Sequence, residues 1–137
     1  MLCLGLRLLH LNLHGLIRSH DLELGRDSDT GGQTLYVLEL VKGLAARPEV
    51  EKIELITRLI IDRKVSSDYS NPVEKISSCA EIIRLPFGPK RYIRKELLWP
   101  YLDDLADQIV QRLQTQKNLP DWIHAHYADA GYVGALV

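Results

Sequence analysis

The chain has 137 residues, which is long enough for one domain with its own hydrophobic core. Its hydrophobic fraction of 46 % and its charged fraction of 26 % are ordinary for a soluble globular protein. The formal net charge of -1 gives no bulk electrostatic basis for binding nucleic acid or a membrane surface.

The first 16 residues are apolar but do not have the pattern of a signal peptide. No basic segment precedes the apolar run, Arg7 interrupts it, and no small-residue cleavage pattern follows. The two cysteines, Cys3 and Cys79, lie far apart and match no metal-ligand spacing, so we expect reduced thiols rather than a disulfide. We therefore expect a cytoplasmic protein that neither crosses nor binds a membrane.

Hydrophobic periodicity predicts strands that alternate with helices along the chain. In order, the predicted elements are a strand at residues 6–13, a helix at 33–47, strands at 52–61 and 81–85, a helix at 95–116, a strand at 122–127 and a helix from 129 onward. Polar segments at 18–30 and 62–78 are predicted loops. Asp29 or Thr30 is expected to cap the first helix, and Pro100 falls in the first turns of the second, where proline is tolerated.

This alternation is typical of βαβ units, so the sequence predicts an α/β fold with a Rossmann-like parallel sheet and helices on both faces. Such sheets bind their ligands at the carboxyl ends of the strands. Four polar segments follow predicted strands or open predicted helices, namely residues 12–15, 27–33, 87–95 and 126–131. We therefore expect these four segments to meet at one edge of the sheet.

The segment before the first predicted helix contains Gly31 and Gly32, followed by Gln33. Adjacent glycines let a ligand approach the backbone closely, and the free N–H groups at a helix start attract anions or sugar oxygens. The alternative is a capped turn without a ligand, because the segment matches neither a GxGxxG fingerprint nor a Walker loop.

Four cationic side chains stand where the second long helix is predicted to begin: Lys90, Arg91, Arg94 and Lys95. Cations are disfavoured at that end of a helix, whose amide groups already carry positive partial charge. This placement favours an anion site with phosphate as the ligand over the alternative of a solvated charge run. A single basic run in a nearly neutral chain does not form the stripe that nucleic-acid binding requires.

Histidines near the last predicted strand are candidates for metal binding or for hydrogen bonding to a ligand. His124 and His126 alternate to the same side of that strand, but no third ligand has a plausible spacing, and we expect no metal. The favoured interpretation is that His126 and Tyr127 donate hydrogen bonds at the strand end while Asp129 caps the next helix. His14, after the first strand, could reach the same crevice. No role is assigned to His10, His20 or His124.

Five short motifs, spread over nearly the whole chain, match the sequence signature of one protein family in the same order. They are LIR at residues 16–18, LELGRDSDTGGQ at 22–33, RLPFG at 84–88, KELLWPY at 95–101 and HYADAG at 126–131. Together they resemble the N-terminal signature of the sucrose-phosphate synthase family. Sucrose synthases tend to carry NYSDG where this chain has HYADA, which favours a phosphorylated acceptor.

The resemblance implies a retaining glycosyltransferase of the GT-B arrangement, in which two Rossmann-like domains face a cleft. Such enzymes transfer glucose from UDP-glucose to fructose 6-phosphate and give sucrose 6-phosphate, without a prosthetic group. The resemblance places Gly31, Gly32 and Gln33 against the acceptor and the transferred sugar. It places Lys95 and Tyr127 against the fructose phosphate. Further candidate binding residues are Arg91, Arg94, His126 and His14.

The same resemblance implies that residues 1–137 are an incomplete N-terminal, acceptor-side domain, with the C-terminal nucleotide-sugar domain absent. We expect the isolated chain to be inactive, because catalysis needs both substrates in one cleft. Two alternatives remain open. One is sucrose synthase or another retaining glucosyltransferase of the superfamily, and the other is a stand-alone phosphosugar-binding module.

Overall fold

The computed structural model describes residues 5–137, so residues 1–4 of the apolar start, Cys3 among them, lie outside it. Over this range the strands are β1 (Leu6–Leu11), β2 (Val50–Arg58), β3 (Val73–Lys75), β4 (Ala80–Leu85) and β5 (Trp122–Ala125). The α-helices are α1 (Gly32–Ala45), α2 (Leu102–Gln114) and α3 (Tyr127–Leu136). Short 3₁₀ turns lie at Ser67–Ser70, Lys95–Leu97 and Trp99–Tyr101.

The strands form a sheet in the order β3-β4-β2-β1-β5, and all neighbours are parallel except β3 and β4. From β1 the chain steps outward through β2 to β4, and it then returns to the opposite side of β1 as β5. The direction of winding therefore reverses between β1 and β5. At such a reversal a crevice opens outside the carboxyl ends of the strands, and α/β proteins bind ligands there.

Helices cover both faces of the sheet, as the sequence predicts. On one face α1 packs Val37 and Val41 into a cluster with Leu55 of β2. On the other face α2 and α3 share a second core cluster, which contains Leu11 of β1 and Ile83 of β4. Because both faces are covered, the central strands β1, β2 and β4 are largely buried, whereas the edge strands β3 and β5 are mostly exposed. No helix within residues 5–137 is long and apolar enough to cross a bilayer.

The predicted helix over residues 95–116 is wrong at its start. Residues 95–101 form two 3₁₀ turns, and α2 begins only at Leu102. Pro100 explains the difference, because it has no N–H to bond the carbonyl of Glu96 and its ring would crowd that carbonyl. Lys95 therefore lies in a three-residue turn, and the helix-dipole argument for an anion site at this position does not hold.

The predicted loop over residues 62–78 contains an edge strand. β3 pairs antiparallel with β4 through three residues, two of which are charged, so its sequence shows no alternation that could be recognised. The other predicted elements agree with the observed ones to within three residues at each end.

Candidate functional site

The four polar segments predicted to meet do lie together at the carboxyl edge of the sheet. Gln33 Nε2 donates to Asn12 Oδ1 at 2.8 Å, which connects the start of α1 to the end of β1. His14 Nδ1 bonds to Asp129 Oδ2 at 2.8 Å, which connects the loop after β1 to α3. The remaining segment, residues 87–95, contacts the segment before α1 through Lys95, which bonds to Asp29. We call the surface that these segments enclose the β1–β5 crevice.

Gly15 lets the loop after β1 pass directly against the segment that precedes α1. Its φ of +79° is a left-handed conformation that residues with a Cβ rarely adopt. A Cβ built on Gly15 would lie 2.3 Å from the backbone oxygen of Asp29, which is far inside van der Waals contact. Glycine is therefore required at this position to bring His14 and Asp29 to the same crevice.

A buried carboxylate holds the Lys95 side chain at the crevice. The Asp29 side chain is 2 % exposed and accepts hydrogen bonds from Lys95 Nζ at 2.9 Å and from the Lys95 backbone N–H at 2.7 Å. Glu96 Oε1 lies 3.3 Å from the same ammonium group. The hydrogen bond to Asp29, followed by that to Glu96, raises the pKa of Lys95, so the ammonium stays charged at neutral pH. An ammonium has three donors, and the two carboxylates leave one for a ligand anion.

The helix-capping roles predicted for Asp29, Thr30 and Asp129 are wrong. Gly31 and His126 occupy the N-cap positions of α1 and α3, and neither helix has a side-chain cap hydrogen bond. Each predicted capping side chain is used in a tertiary contact instead: Asp29 with Lys95, Thr30 with the Leu16 N–H, and Asp129 with His14. Partners distant in sequence thus take both Asp29 oxygens, the Thr30 hydroxyl and Asp129 Oδ2, while Asp129 Oδ1 accepts from the Ala130 N–H within α3.

Tyr92 braces the basic segment against the segment that precedes α1. Its hydroxyl donates to Asp27 Oδ1 at 2.9 Å and lies 3.1 Å from Thr30 Oγ1. Burial raises the pKa of the Tyr92 hydroxyl, so it remains a donor. Asp27 also accepts from the backbone N–H groups of Asp29 and Thr30, which fixes the turn. The sequence pattern gives no signal for this brace, because its partners are 65 residues apart.

Tyr127 is the first residue of α3 and has a strained backbone. Its φ of +77° is rare for a residue other than glycine, and such strain costs about 1–3 kcal/mol and clusters at functional sites. The Tyr127 ring lies edge-on to the His14 ring at 4.9 Å, and Lys95 Nζ is 6.0 Å from its centroid. Because Tyr127 is 55 % exposed, its ring and hydroxyl are open to a ligand in the crevice.

The start of α1 presents open backbone to the same crevice. A Cβ built on Gly31 or Gly32 would meet no heavy atom within 4 Å, so the space beside both residues is free. The first N–H groups of a helix have no intrahelical acceptor, and α1 is 14 residues long. These amides, with the Gln33 side chain held by Asn12, can donate to sugar or phosphate oxygens.

Arg91 and Arg94, the other predicted cations, are exposed. Within residues 5–137 neither guanidinium forms a side-chain hydrogen bond or an ion pair. Among the cations of residues 90–95, Lys95 is the one whose contacts place it in the crevice.

His126, also a predicted site residue, belongs to a group of three histidines. His10 Nδ1 is 3.0 Å from His126 Nε2, and the His124 and His126 rings stack with centroids 4.2 Å apart. The expectation that no third potential ligand accompanies His124 and His126 is wrong, because β1 pairs with β5 and places His10 opposite His124. Burial, with repulsion from the neighbouring histidines, lowers the pKa of His10 and of His126 to about 4, so both rings are neutral at pH 7.

Comparison with known proteins gives consistent matches. Residues 4–137 match the family described as the sucrose synthase first GT-B domain. Sucrose-phosphate synthase 1 of Arabidopsis thaliana is 41 % identical over 96 % of the chain, and the sucrose-phosphate synthase of Spinacia oleracea is 41 % identical over 93 %. The chain spans 15 % of the length of each of these relatives. A solved sucrose-phosphate synthase from Thermosynechococcus elongatus matches with a TM-score of 0.75 at 26 % identity, covering 95 % of this chain and 29 % of the other.

Proposed function

This chain belongs to the glycosyltransferase family of the sucrose synthase first GT-B domain, and we propose that the protein containing it is a sucrose-phosphate synthase. The proposed reaction transfers glucose from UDP-glucose to fructose 6-phosphate, with retention of configuration, and gives sucrose 6-phosphate. The bond from the glucosyl C1 to the diphosphate breaks, a bond from C1 to an acceptor hydroxyl forms, and that hydroxyl loses its proton. Residues 1–137 supply the acceptor side of the cleft, and the nucleotide binds outside them.

The fixed cation in the β1–β5 crevice carries this proposal. Buried Asp29 orients the Lys95 ammonium, and the open Tyr127 ring lies beside it. A sugar phosphate brings a charge of about −1.5 to −2 at pH 7, and hydrogen bonds between an ammonium and a phosphate are among the stronger ones in proteins. Lys95 would therefore bind the acceptor phosphate, with Tyr127 against the phosphate or the sugar. Arg91 and Arg94, exposed on the same segment, are proposed outer contacts for the phosphate.

The sugar hydroxyls are proposed to bind at the start of α1. Gly31 and Gly32 leave room for a ligand to reach the backbone N–H groups, and the Gln33 amide is oriented by Asn12. His14 is held through Nδ1 by Asp129, which leaves Nε2 as the ring nitrogen for a hydroxyl. No prosthetic group enters this scheme, because the leaving diphosphate needs preorganised charge rather than a covalent partner.

Product analysis on the complete protein tests the proposed function. The protein is incubated with UDP-glucose and with either fructose 6-phosphate or fructose at equal concentration. We expect sucrose 6-phosphate as the product, and a higher kcat/KM for fructose 6-phosphate than for fructose. The isolated 137-residue chain is the matched control and should form neither product.

Two outcomes would contradict the proposal. A higher kcat/KM for fructose would favour a sucrose synthase, whose acceptor carries no phosphate. Binding of fructose 6-phosphate without any product from either acceptor would favour a stand-alone phosphosugar-binding module.

A further inference from the structure

The geometry points to a metal site: we infer that His10, His124 and His126 bind a divalent transition metal, with Zn²⁺ the best match to three imidazole ligands. We call these three residues the histidine cluster. His126 borders the β1–β5 crevice, but none of the three residues is among the sugar and phosphate contacts proposed above, and the inference does not depend on those contacts.

Parallel pairing of β1 with β5 creates the histidine cluster. His10 and His124 are register partners on adjacent strands, so their side chains leave the sheet on the same face. His126 follows His124 by two residues, at the N-cap of α3, and its ring returns to that face. The backbones of two neighbouring strands therefore fix the three rings relative to one another.

The distances between the rings suit an ion with nitrogen ligands. A tetrahedral site with Zn–N bonds of about 2.0–2.1 Å holds its ligand nitrogens about 3.3 Å apart. His10 Nδ1 and His126 Nε2 are 3.0 Å apart, and potential ligand atoms of all three residues lie within 4.8 Å of one another. Metal binding would require the exposed His124 ring to rotate so that one of its nitrogens lies closer to the other two ligands. Three histidines leave a fourth position for water or another ligand.

Burial and access also suit metal binding. His10 is 1 % exposed and His126 is 6 % exposed, which holds two ligands in place. His124 is exposed and lines an open groove beside Leu8 and Trp122, so an ion can enter from solvent. Within residues 5–137 the side-chain hydrogen bonds of these rings are confined to the cluster. Binding therefore breaks no bond from a ligand nitrogen to a carboxylate.

Metal titration of the complete protein tests the inference. The protein is prepared without a polyhistidine tag, stripped with EDTA and titrated with Co²⁺, whose visible absorption reports four-coordinate binding, and with Zn²⁺ by calorimetry. We expect one ion per chain at this site, and a His124→Ala variant that loses it or binds it about tenfold or more weakly. His124 is the ligand to replace because its exposed side chain supports no core. His20→Ala removes an exposed histidine outside the cluster and should bind the ion as the wild type does.

A thermal unfolding experiment gives an independent readout. Zn²⁺ should raise the Tm of the wild type and of His20→Ala, because an ion that binds only the folded state stabilises it by mass action. His124→Ala should match the wild-type Tm in EDTA and should show no rise with Zn²⁺. Equal metal binding by the wild type and His124→Ala, or a stripped wild type that takes up no ion, would overturn the inference.

Discussion

Replacement of Lys95 by alanine in the complete protein is expected to lower kcat/KM for fructose 6-phosphate by on the order of ten- to hundredfold. In the proposed complex the variant loses a charge-assisted hydrogen bond to the acceptor phosphate, whereas the KM for UDP-glucose should stay nearly unchanged because the nucleotide is proposed to bind outside residues 1–137. Removal of the ammonium also leaves the buried Asp29 carboxylate without its cation, although the backbone N–H of residue 95 still donates to it, a bond of 2.7 Å in the wild type. Steady-state kinetics with each substrate varied in turn gives both constants.

Two further variants separate the loss of charge from the loss of structure. Lys95→Arg should keep part of the activity, because the charge remains while the geometry of its donors changes. Lys42→Ala removes an exposed lysine whose ammonium is 4.0 Å from Glu39 and should be nearly neutral. If Lys95→Ala instead weakened both substrates equally, Lys95 would have a structural role. The phosphate contact would then have to be reassigned to Arg91 or Arg94.

Replacement of Arg84 by methionine is expected to lower the free energy of unfolding by roughly 3–5 kcal/mol, the usual cost of removing one partner of a buried ion pair. The Arg84 side chain is 1 % exposed, and its guanidinium donates to Glu74 Oε1 at 2.7 Å, the Ile17 carbonyl at 2.9 Å and the Asn71 carbonyl at 3.1 Å. These bonds tie the loop after β1 to the edge of the sheet. Methionine fills similar volume but leaves all three acceptors without this donor.

The charge on Glu74 increases the expected loss of stability in the Arg84→Met variant. Burial by itself would raise the pKa of Glu74, but hydrogen bonds from Ser19 and Arg84 outweigh it and lower the pKa. The carboxylate is therefore ionised at pH 7 in the wild type, and when Arg84 is removed the Ser19 N–H remains as its donor. Hydrogen exchange of the complete protein, read on peptides from β4 and residues 16–19, measures the local free energy of opening.

Arg47→Met is the matched control for Arg84→Met. Arg47 pairs with Glu49 on the surface, where both side chains are more than half exposed, so its loss should not change protection measurably. If Arg84→Met lowers the free energy of opening by less than about 1 kcal/mol, which is the range of exposed ion pairs, the buried hydrogen bonds of Arg84 contribute little to stability.

The sheet and the place of the crevice could be predicted because they depend on patterns that are local in sequence. Apolar runs bounded by glycine, proline and polar residues mark four of the five strands, and parallel topology alone brings residues 12–15 and 126–131 to one edge. β3 lacked such a pattern because three residues are too few to show alternation. The predicted start of α2 is seven residues too early, because the first turns of a helix tolerate proline and the pattern alone does not exclude an α-helix that begins before Pro100.

The partners within the crevice could not be predicted, because they are far apart in sequence. Asp29 has the side chain and the position of a helix cap, yet Lys95, 66 residues later, takes its oxygens. Asp129 likewise bonds to His14 across 115 residues. His10 stood alone in the sequence, and only the pairing of β1 with β5 places it against His124. The roles of Gly31, Gln33 and other site residues toward a substrate stay predictions.

The position of the acceptor phosphate tests the proposed site most directly. A crystal structure of the complete protein with fructose 6-phosphate bound would show it. We predict a phosphate oxygen at about 2.7–2.9 Å from Lys95 Nζ, with the sugar between Tyr127 and the start of α1. A phosphate bound outside the β1–β5 crevice, with Lys95 still paired only to Asp29 and Glu96, would contradict the proposed function of this site.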